Sequence, residues 1–190
     1  MISSKVSRLA VAVILASAAL GALGCSGSQA AASSSGTPAG GGDTAKVGAA
    51  APEFDAEFIT GEGPKTLAEA SGKVVIVDFW ATFCDPCKKS FPAYQKIVDE
   101  AGGNVVVIAI SVDEPENAGK EQLLAFTKQT GAKFTVLWDK AGTIRGKKYA
   151  VPTMPTSYIV DKTGVVRHQH AGYEDGEDAK VADEVRELLK

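Results

Sequence analysis

Two runs of β-branched and aromatic residues, 74–80 and 105–110, restrict the possible folds of this chain more than any other feature. Such near-continuous apolar runs are typical of strands that are covered on both faces of a sheet. The residues between them predict an amphipathic helix, because apolar side chains recur at three- and four-residue spacing at Phe91, Tyr94, Ile97, Val98 and Ala101. A strand, a helix and a second strand in this order predict a βαβ unit with parallel strands and a right-handed crossover.

The flanking sequence predicts further elements on the same sheet. In chain order these are a strand at 53–59, a hairpin-like turn at 61–63, a helix at 116–130, a strand at 134–138, strands at 156–160 and 165–170, and a helix at about 176–189. A polar turn at 161–164 makes the last two strands an antiparallel hairpin. The predicted fold class is α/β, a central mixed β-sheet flanked by helices, with an N-terminal β-hairpin extension.

The first residues form a targeting segment that lies apart from the folded domain. Residues 1–24 combine two basic side chains with a charge-free apolar stretch, the pattern of a signal peptide. The stretch ends in Ala-Leu-Gly-Cys, which resembles the cleavage box of bacterial lipoproteins, where the cysteine is lipidated. Ala22 departs from that box, which most often has Leu at this position. An ordinary signal peptide cut elsewhere and an uncleaved single-span anchor remain alternatives.

Residues 25–46 predict a lipidated cysteine followed by a flexible linker. After Cys25 the segment consists mainly of Ser, Gly, Ala, Thr and Pro, which cannot offset the entropy lost on ordering. The folded domain is predicted to span 47–190. If Cys25 carries lipid, the three cysteines of the chain leave one pair and no odd thiol in an oxidising compartment. We therefore expect a lipid-anchored domain at a membrane surface, on the extracytoplasmic (periplasmic) side of the cell envelope.

Cys84 and Cys87 follow the first buried strand and stand at the start of the predicted helix. Unpaired N–H groups and the helix dipole stabilise an anion there, so Cys84 is the predicted attacking thiolate. Cys87, one turn further on, is close enough to attack a mixed disulfide and release the substrate. Pro86 has a φ angle that suits the first helical turn. The motif predicts a redox-active disulfide that needs no other cofactor.

Two other interpretations of the cysteine pair remain open. It could be half of a zinc site, although only His168 and His170 are available as further soft ligands. It could also be a structural disulfide, although the closed loop is too short to restrict the unfolded chain much. The two histidines lie two residues apart on one predicted strand, and we expect surface side chains there rather than a metal site.

The segment 79–89, Phe-Trp-Ala-Thr-Phe-Cys-Asp-Pro-Cys-Lys-Lys, resembles the active-site segment of the thioredoxin superfamily. It is most similar to the TlpA/ResA-like (AhpC/TSA-like) branch, and the similarity continues through 51–54, 111–114 and 151–164. The resemblance implies a thioredoxin fold and a membrane-tethered thiol–disulfide oxidoreductase that reduces protein disulfides outside the cytoplasm, as in cytochrome c maturation. It also implies protein thiols and disulfides as substrates and a membrane thiol-reductant carrier as electron donor.

The resemblance assigns roles to residues outside the cysteine pair. Pro155 matches the cis-proline position, where the backbone of Met154 would pair with an extended substrate chain, and Trp80 is assigned to the same substrate-binding group. Asp78 matches the buried acid of thioredoxin. Desolvation would raise the pKa of Asp78 and let it carry the proton that Cys87 gains or loses.

Asp78 and Ser90 depart from the pattern of the branch. Many of its members have a neutral residue at the position of Asp78 and an acid at the position of Ser90, so the proton carrier is predicted to have moved between the two sites. Asp85 bears on redox direction. Its negative charge opposes a thiolate at Cys84, which favours the disulfide and hence a reductase over an oxidase.

Two rival functions come from other classes. The opening 51–54 suggests a peroxiredoxin-like peroxidase, but the chain lacks the Pro-x-x-x-Thr-x-x-Cys segment of that class. A Sco-like copper-binding assembly protein is the second, but its cysteines are spaced by three residues. The formal net charge of −3 gives no basic footprint for nucleic acid, and we expect a monomer.

Overall fold

The computed structural model describes residues 44–190, in which six strands form one mixed sheet. The elements are β1 (Glu57–Thr60), β2 (Val74–Trp80), α1 (Cys87–Glu100), β3 (Val105–Ser111), α2 (Lys120–Thr130), β4 (Thr135–Trp138), a π-helix (Ile144–Lys148), β5 (Thr156–Val160), β6 (Val166–Ala171) and α3 (Glu177–Leu189). The predicted signal peptide at 1–24 and the predicted linker at 25–46 lie outside the described residues, apart from the last three residues of the linker, where the Ala45 N–H donates to the Lys148 carbonyl at 2.7 Å. None of the helices within 44–190 is long and apolar enough to cross a membrane.

The strands lie in the order β1-β4-β3-β2-β5-β6, with β2 near the centre. β2 is parallel to β3 and antiparallel to β5, and β3 is parallel to β4. Both crossovers run in the same direction across the sheet, so right-handed connections place α1 and α2 on one face. α3 packs against α1 on that face. The predicted βαβ unit and the predicted mixed sheet with flanking helices are confirmed.

Side chains of β2 alternate between the two faces of the sheet. Trp80 points to the helices and stacks on Phe126 of α2, with ring centroids 4.5 Å apart. Phe79 points to the opposite face and packs against Tyr149, with ring centroids 5.0 Å apart. Because side chains two residues apart share a face, Asp78 lies beneath the helices together with Trp80.

The face opposite the helices is covered by the π-helix region and by the segment before β1. The Tyr149 hydroxyl donates a hydrogen bond of 2.9 Å to the carbonyl of Pro52, and the ring of Phe54 lies beside it. The π-helix was not predicted, because Ile-Arg-Gly-Lys-Lys shows no three- and four-residue apolar spacing. This missed element places Tyr149 in the core.

The predicted N-terminal β-hairpin does not form within the described residues. The predicted strand at 53–59 begins later, as β1, and pairs antiparallel with β4 rather than with a hairpin partner. Gly61 explains the path of the chain. Its φ of +101° suits glycine, and a Cβ there would lie 1.9 Å from the carbonyl oxygen of Phe134, so the chain turns tightly against the start of β4.

Most other predicted bounds agree with the structure to within one residue. The helix predicted at 116–130 begins later, at Lys120, because Gly119 is its N-cap residue. The Gln122 side chain accepts the Gly119 N–H at 3.0 Å, which satisfies an unpaired donor at the start of the helix.

Candidate active site

The loop between β2 and α1 is held by a buried carboxylate at the end of β3. Asp113 is 1% exposed and accepts hydrogen bonds from the Thr82 N–H at 2.9 Å, the Thr82 hydroxyl at 2.7 Å and the Ser111 hydroxyl at 2.8 Å. These bonds fix the loop that leads to Cys84. No role was predicted for Asp113 from the sequence. The available signal was an acid two residues after the end of a buried strand.

Cys84 and Cys87 form a disulfide, with their Cα atoms 5.3 Å apart. α1 begins at Cys87 after the N-cap Pro86, so the pair lies at a helix N-terminus as expected. The Cys87 N–H points to the Cys84 sulfur at 3.2 Å, which would stabilise negative charge on that sulfur. Cys84 retains 5% exposure whereas Cys87 has none, so an incoming substrate can reach only Cys84. Within residues 44–190 there is no cluster of three or more side chains suited to bind a metal.

Asp85 lies fully exposed beside Cys84 and forms an ion pair with Lys88. The Lys88 ammonium lies 2.8 Å from the Asp85 carboxylate. The hydrogen bond and the positive charge of Lys88 lower the pKa of Asp85. The predicted influence of Asp85 on the Cys84 thiolate is therefore offset in part by Lys88.

Asp78 is a buried acid without a hydrogen-bond partner among residues 44–190. It is 0% exposed, and within that part of the chain neither carboxylate oxygen has a partner in hydrogen-bond geometry. Desolvation by burial raises the pKa of Asp78 to about 8. The Tyr94 hydroxyl of α1 opposes part of this rise, although its approach falls short of a regular hydrogen bond. Asp78 can thus exchange a proton near neutral pH, where an ordinary aspartate stays ionised.

The Met154–Pro155 peptide bond is cis, as the resemblance implied. Pro155 is buried, and its carbonyl accepts the Gly172 N–H at 2.8 Å. The next residue, Thr156, pairs with Phe79 in the ladder between β2 and β5. This register places Pro155 beside the end of β2, where the loop to the disulfide begins.

Trp80 does not occupy the predicted substrate-binding position. It is 0% exposed among the aromatic rings beneath the helices, so it cannot contact a substrate in this conformation. The exposed aromatic residue of the active-site loop 81–86 is Phe83, directly before Cys84, with 67% of its surface accessible. Phe83 was not predicted as a site residue, because its exposure depends on the path of the loop and not on the pattern of the buried strand. Ser90 is buried, and its hydroxyl donates to the Cys87 carbonyl at 3.3 Å.

The two histidines are not simple surface side chains. His170 is 6% exposed and lies between two carboxylates of α3, in contact with Glu177 through Nδ1 and with Glu184 through Nε2 at 2.6 Å. His168 is partly exposed and lies 3.4 Å from Glu184. The expectation of a surface side chain was wrong for His170, because packing of α3 onto β6 covers it, whereas His168 stays partly exposed.

The comparisons with known proteins agree with the disulfide at the start of α1. Residues 47–169 match the AhpC/TSA family. The chain belongs to this family. This AhpC/TSA family member is 36% identical over 125 residues to thioredoxin-like protein YneN of Bacillus subtilis (strain 168), covering 66% of this chain and 71% of that protein. It is 35% identical over 128 residues to thiol-disulfide oxidoreductase ResA of Bacillus thuringiensis (strain Al Hakam), covering 67% and 70% respectively.

A solved structure gives the same picture for the fold. A crystal structure from Chlorobium tepidum, assigned to the thiol:disulfide interchange protein DsbE, aligns with a TM-score of 0.66 at 31% identity, covering 77% of this AhpC/TSA family member and all of that chain. The predicted family and the predicted thioredoxin fold are confirmed. The relatives and the Cys84–Cys87 pair also support the predicted enzyme class, a thiol–disulfide oxidoreductase.

Proposed function

We propose that this protein is an extracytoplasmic, membrane-tethered reductase of protein disulfides. The observation that carries the proposal is the Cys84–Cys87 disulfide at the N-terminus of α1, with the buried acid Asp78 beneath the same helix. Relatives named thiol-disulfide oxidoreductase support the reaction type. No cofactor beyond the disulfide itself enters this reaction.

The reaction begins with the reduced protein. The Cys84 thiolate attacks a substrate disulfide, forms a mixed disulfide and releases the first substrate thiolate, which takes up a proton. Cys87 then loses its proton and attacks the Cys84 sulfur, so that the Cys84–Cys87 bond forms while the bond to the substrate breaks. Two electrons pass from the protein to the substrate. The backbone of Met154 beside Pro155 would hold the substrate chain in extended form, and Phe83 would contact it next to the reacting sulfur.

Asp78 is the proposed proton carrier for Cys87. Cys87 and Tyr94 lie seven residues apart on α1 and thus on the same face of the helix, and Tyr94 lies over Asp78. An acid with a pKa of about 8 can both accept and return a proton near neutral pH, which is the condition for efficient acid–base catalysis.

Burial of the two sulfurs supports the reducing direction. A thiolate at Cys87 would have no contact with water, so the reduced, ionised form of the pair is disfavoured relative to the disulfide. Asp85 adds little to this effect because Lys88 offsets its charge. A protein with a disfavoured dithiol form gives up electrons readily.

The N-terminal sequence supports the proposed location of the protein at a membrane, and the redox chemistry supports the proposed electron donor. Lipid on Cys25 would tether the domain to a membrane through the linker 25–46. A reductase in an oxidising compartment needs electrons from a membrane thiol-reductant carrier. Apocytochrome c during cytochrome c maturation is the proposed substrate class, with the domain acting as a monomer.

Trapping of the substrate tests this proposal. Cys87→Ser should accumulate a mixed disulfide at Cys84 with an envelope protein, which mass spectrometry identifies, whereas Cys84→Ser should trap nothing. Cys25→Ser should release the protein from the membrane fraction without changing its exchange rate in solution. Equal trapping by both active-site variants, or none by either, would contradict the proposed reaction.

A further inference from the structure

Four cationic side chains lie together at the π-helix, on the face of the sheet opposite the helices. The Ala45 N–H donates to the Lys148 carbonyl at 2.7 Å, and the Thr44 hydroxyl donates to the Lys147 carbonyl at 3.4 Å. These contacts hold residues 44–46 against the π-helix Ile144–Lys148. They bring a cation of the first described segment next to three cations of the π-helix. Together, Lys46, Arg145, Lys147 and Lys148 form a basic surface.

The charges of the basic surface are not neutralised by carboxylates. Within residues 44–190 none of its four side chains forms an ion pair. Asp139 lies nearby, but it is 4% exposed and accepts two backbone N–H groups at the start of the π-helix, so its charge is directed inward. Glu53 contacts the Lys148 ammonium through its backbone carbonyl. Lys46 and Lys147 are exposed to solvent.

The rest of the domain is acidic. The whole chain carries a formal charge of −3, of which Lys5, Arg8 and Asp43 contribute +1, so residues 44–190 carry −4. Outside the basic surface these residues carry −8. An anionic membrane repels a domain of this charge in most orientations and attracts it when a basic face is turned toward the lipid. The uneven charge therefore selects one orientation at an anionic surface.

The basic surface is also the place where the proposed tether meets the domain. Residues 25–43 lead from the proposed lipid anchor to Thr44, whose hydroxyl contacts the π-helix. Val47, directly after Lys46, is 59% exposed. An exposed apolar side chain among cations is the combination that binds at the level of lipid headgroups. A lipid on Cys25 would thus hold this face of the domain nearest the bilayer.

We propose that the basic surface docks the domain on anionic phospholipid headgroups and orients it on the membrane. The orientation rests on the membrane tether of the proposed function, whereas the lipid affinity of the surface does not. The rings of Phe79 and Tyr149 mark the face of the sheet that the π-helix region covers, and Trp80 marks the helix face. Docking through the basic surface therefore leaves α1 and the exposed side of Cys84 turned away from the bilayer, open to protein substrates.

Sedimentation with lipid vesicles tests the affinity of the basic surface. The probe is the full chain with Cys25→Ser, mixed at low salt with vesicles of phosphatidylcholine alone or with added phosphatidylglycerol. We expect tighter binding to the anionic vesicles. Lys46→Gln, Arg145→Gln and Lys147→Gln together should lower that partition coefficient about a hundred-fold, since each cation near the surface contributes about five-fold. Lys148 is kept because its ammonium bonds within the domain. Residues 1–24 are common to all chains, so their contribution cancels in the ratio.

A matched triple substitution separates the basic surface from net charge. Lys120→Gln, Lys128→Gln and Lys133→Gln remove the same charge at exposed positions in and after α2. This variant should bind anionic vesicles as the parent does, and both triple variants should keep the disulfide-exchange rate of the parent. Equal loss of binding in the two variants would show that net charge is responsible, and the proposal would be overturned. Loss in neither variant, or equal binding of both kinds of vesicle by the parent, would overturn it too.

Quenching by brominated lipids tests the orientation of the lipidated chain. A fluorophore is attached to Val47→Cys or, as control, to Lys133→Cys, while Cys84 and Cys87 form their disulfide. On anionic vesicles the label at 47 should be quenched and the label at 133 should not. Quenching at both positions or at neither contradicts the orientation. If the native chain is absent from the membrane fraction while the sedimentation results hold, the tether of the proposed function fails and the lipid affinity of the basic surface stands.

Discussion

Asp113 and Asp78 are two buried acids near the carboxyl ends of neighbouring parallel strands, yet their surroundings differ. Asp113 accepts hydrogen bonds from Thr82 and Ser111, whereas Asp78 has no regular partner in the part of the chain that the structure describes. The two carboxylates are equally buried, but their different hydrogen bonding gives them different roles. The hydrogen-bonded carboxylate of Asp113 holds the loop in place. The pKa of Asp78, which lacks such bonds, is raised toward neutral pH, where this side chain can act as an acid or a base.

The largest expected effect concerns stability as a function of pH. Unfolded Asp78 ionises with its ordinary pKa near 4, while the folded, oxidised protein holds that proton up to about pH 8. The folded state binds the extra proton in this window, so the contribution of Asp78 to unfolding free energy falls by about 1.4 kcal/mol for each pH unit from 4 to 8. Urea unfolding of the parent and of Asp78→Asn should show this difference. Asp85→Asn is the exposed control, and its unfolding free energy should depend on pH as that of the parent does. If Asp78→Asn and the parent show the same pH dependence, the raised pKa of Asp78 is contradicted.

A smaller effect on stability is expected for substitution of Asp113, the hydrogen-bonded acid. Asp113→Ala leaves the Thr82 N–H and two hydroxyls without their acceptor, and should lower the unfolding free energy by about 3 kcal/mol. Urea unfolding measures this loss. Glu114→Gln, at the exposed neighbouring position, should change stability by less than about 0.5 kcal/mol. If Asp113→Ala is as stable as Glu114→Gln, the contrast between the two buried acids is lost.

The effect of the Tyr94 hydroxyl on the pKa of Asp78 can also be tested. Tyr94→Phe removes the hydroxyl that lowers the pKa of Asp78, so that pKa should rise further, by less than about one unit. Carboxyl-carbon NMR titration of the oxidised protein reports the change. Tyr158→Phe removes a buried hydroxyl on the opposite face, where it bonds to the Tyr149 carbonyl, and should leave the Asp78 titration unchanged. A downward shift in Tyr94→Phe would show that the hydroxyl does not stabilise the carboxylate.

The smallest expected effect lies at the exposed acid beside Cys84. Asp85→Asn removes a negative charge and should make the reduction potential less negative by about 20 mV or less, because Lys88 and solvent already screen the charge. Lys88→Gln should shift the potential in the opposite direction. Equilibration with thiol buffers measures both shifts, and a change several times larger in Asp85→Asn would mean that Asp85 rather than burial sets the potential.

Local patterns predicted much of the fold and the reacting pair. The continuous apolar run of β2, the helical spacing after it and the Cys-x-x-Cys motif at their junction are each visible within a few residues of sequence. The buried state of Asp78 was also predictable, because its neighbours on the strand leave no polar face. The resemblance added the cis bond before Pro155, which the local sequence could not distinguish from a trans turn.

The parts that were missed depend on contacts between distant segments. Asp113 bonds to a loop 31 residues earlier in the chain, and His170 meets its carboxylates only because α3 packs over β6. Trp80 was assigned to substrate binding, but α1 and α2 cover it and leave Phe83 as the exposed ring. Strand register and helix packing decide these positions, and neither is visible in a short stretch of sequence.

The redox equilibrium of the cysteine pair shows whether Cys84 and Cys87 form a reversible, reducing disulfide. The full-length protein is equilibrated with thiol buffers of known potential, and the free thiols of Cys84 and Cys87 are counted by alkylation and mass spectrometry. We expect a reversible two-electron transition with a potential below about −200 mV, in the range of reducing thioredoxin-like proteins. A pair that dithiothreitol cannot reduce in the folded state, or a potential near about −120 mV as in strong oxidants, would contradict it.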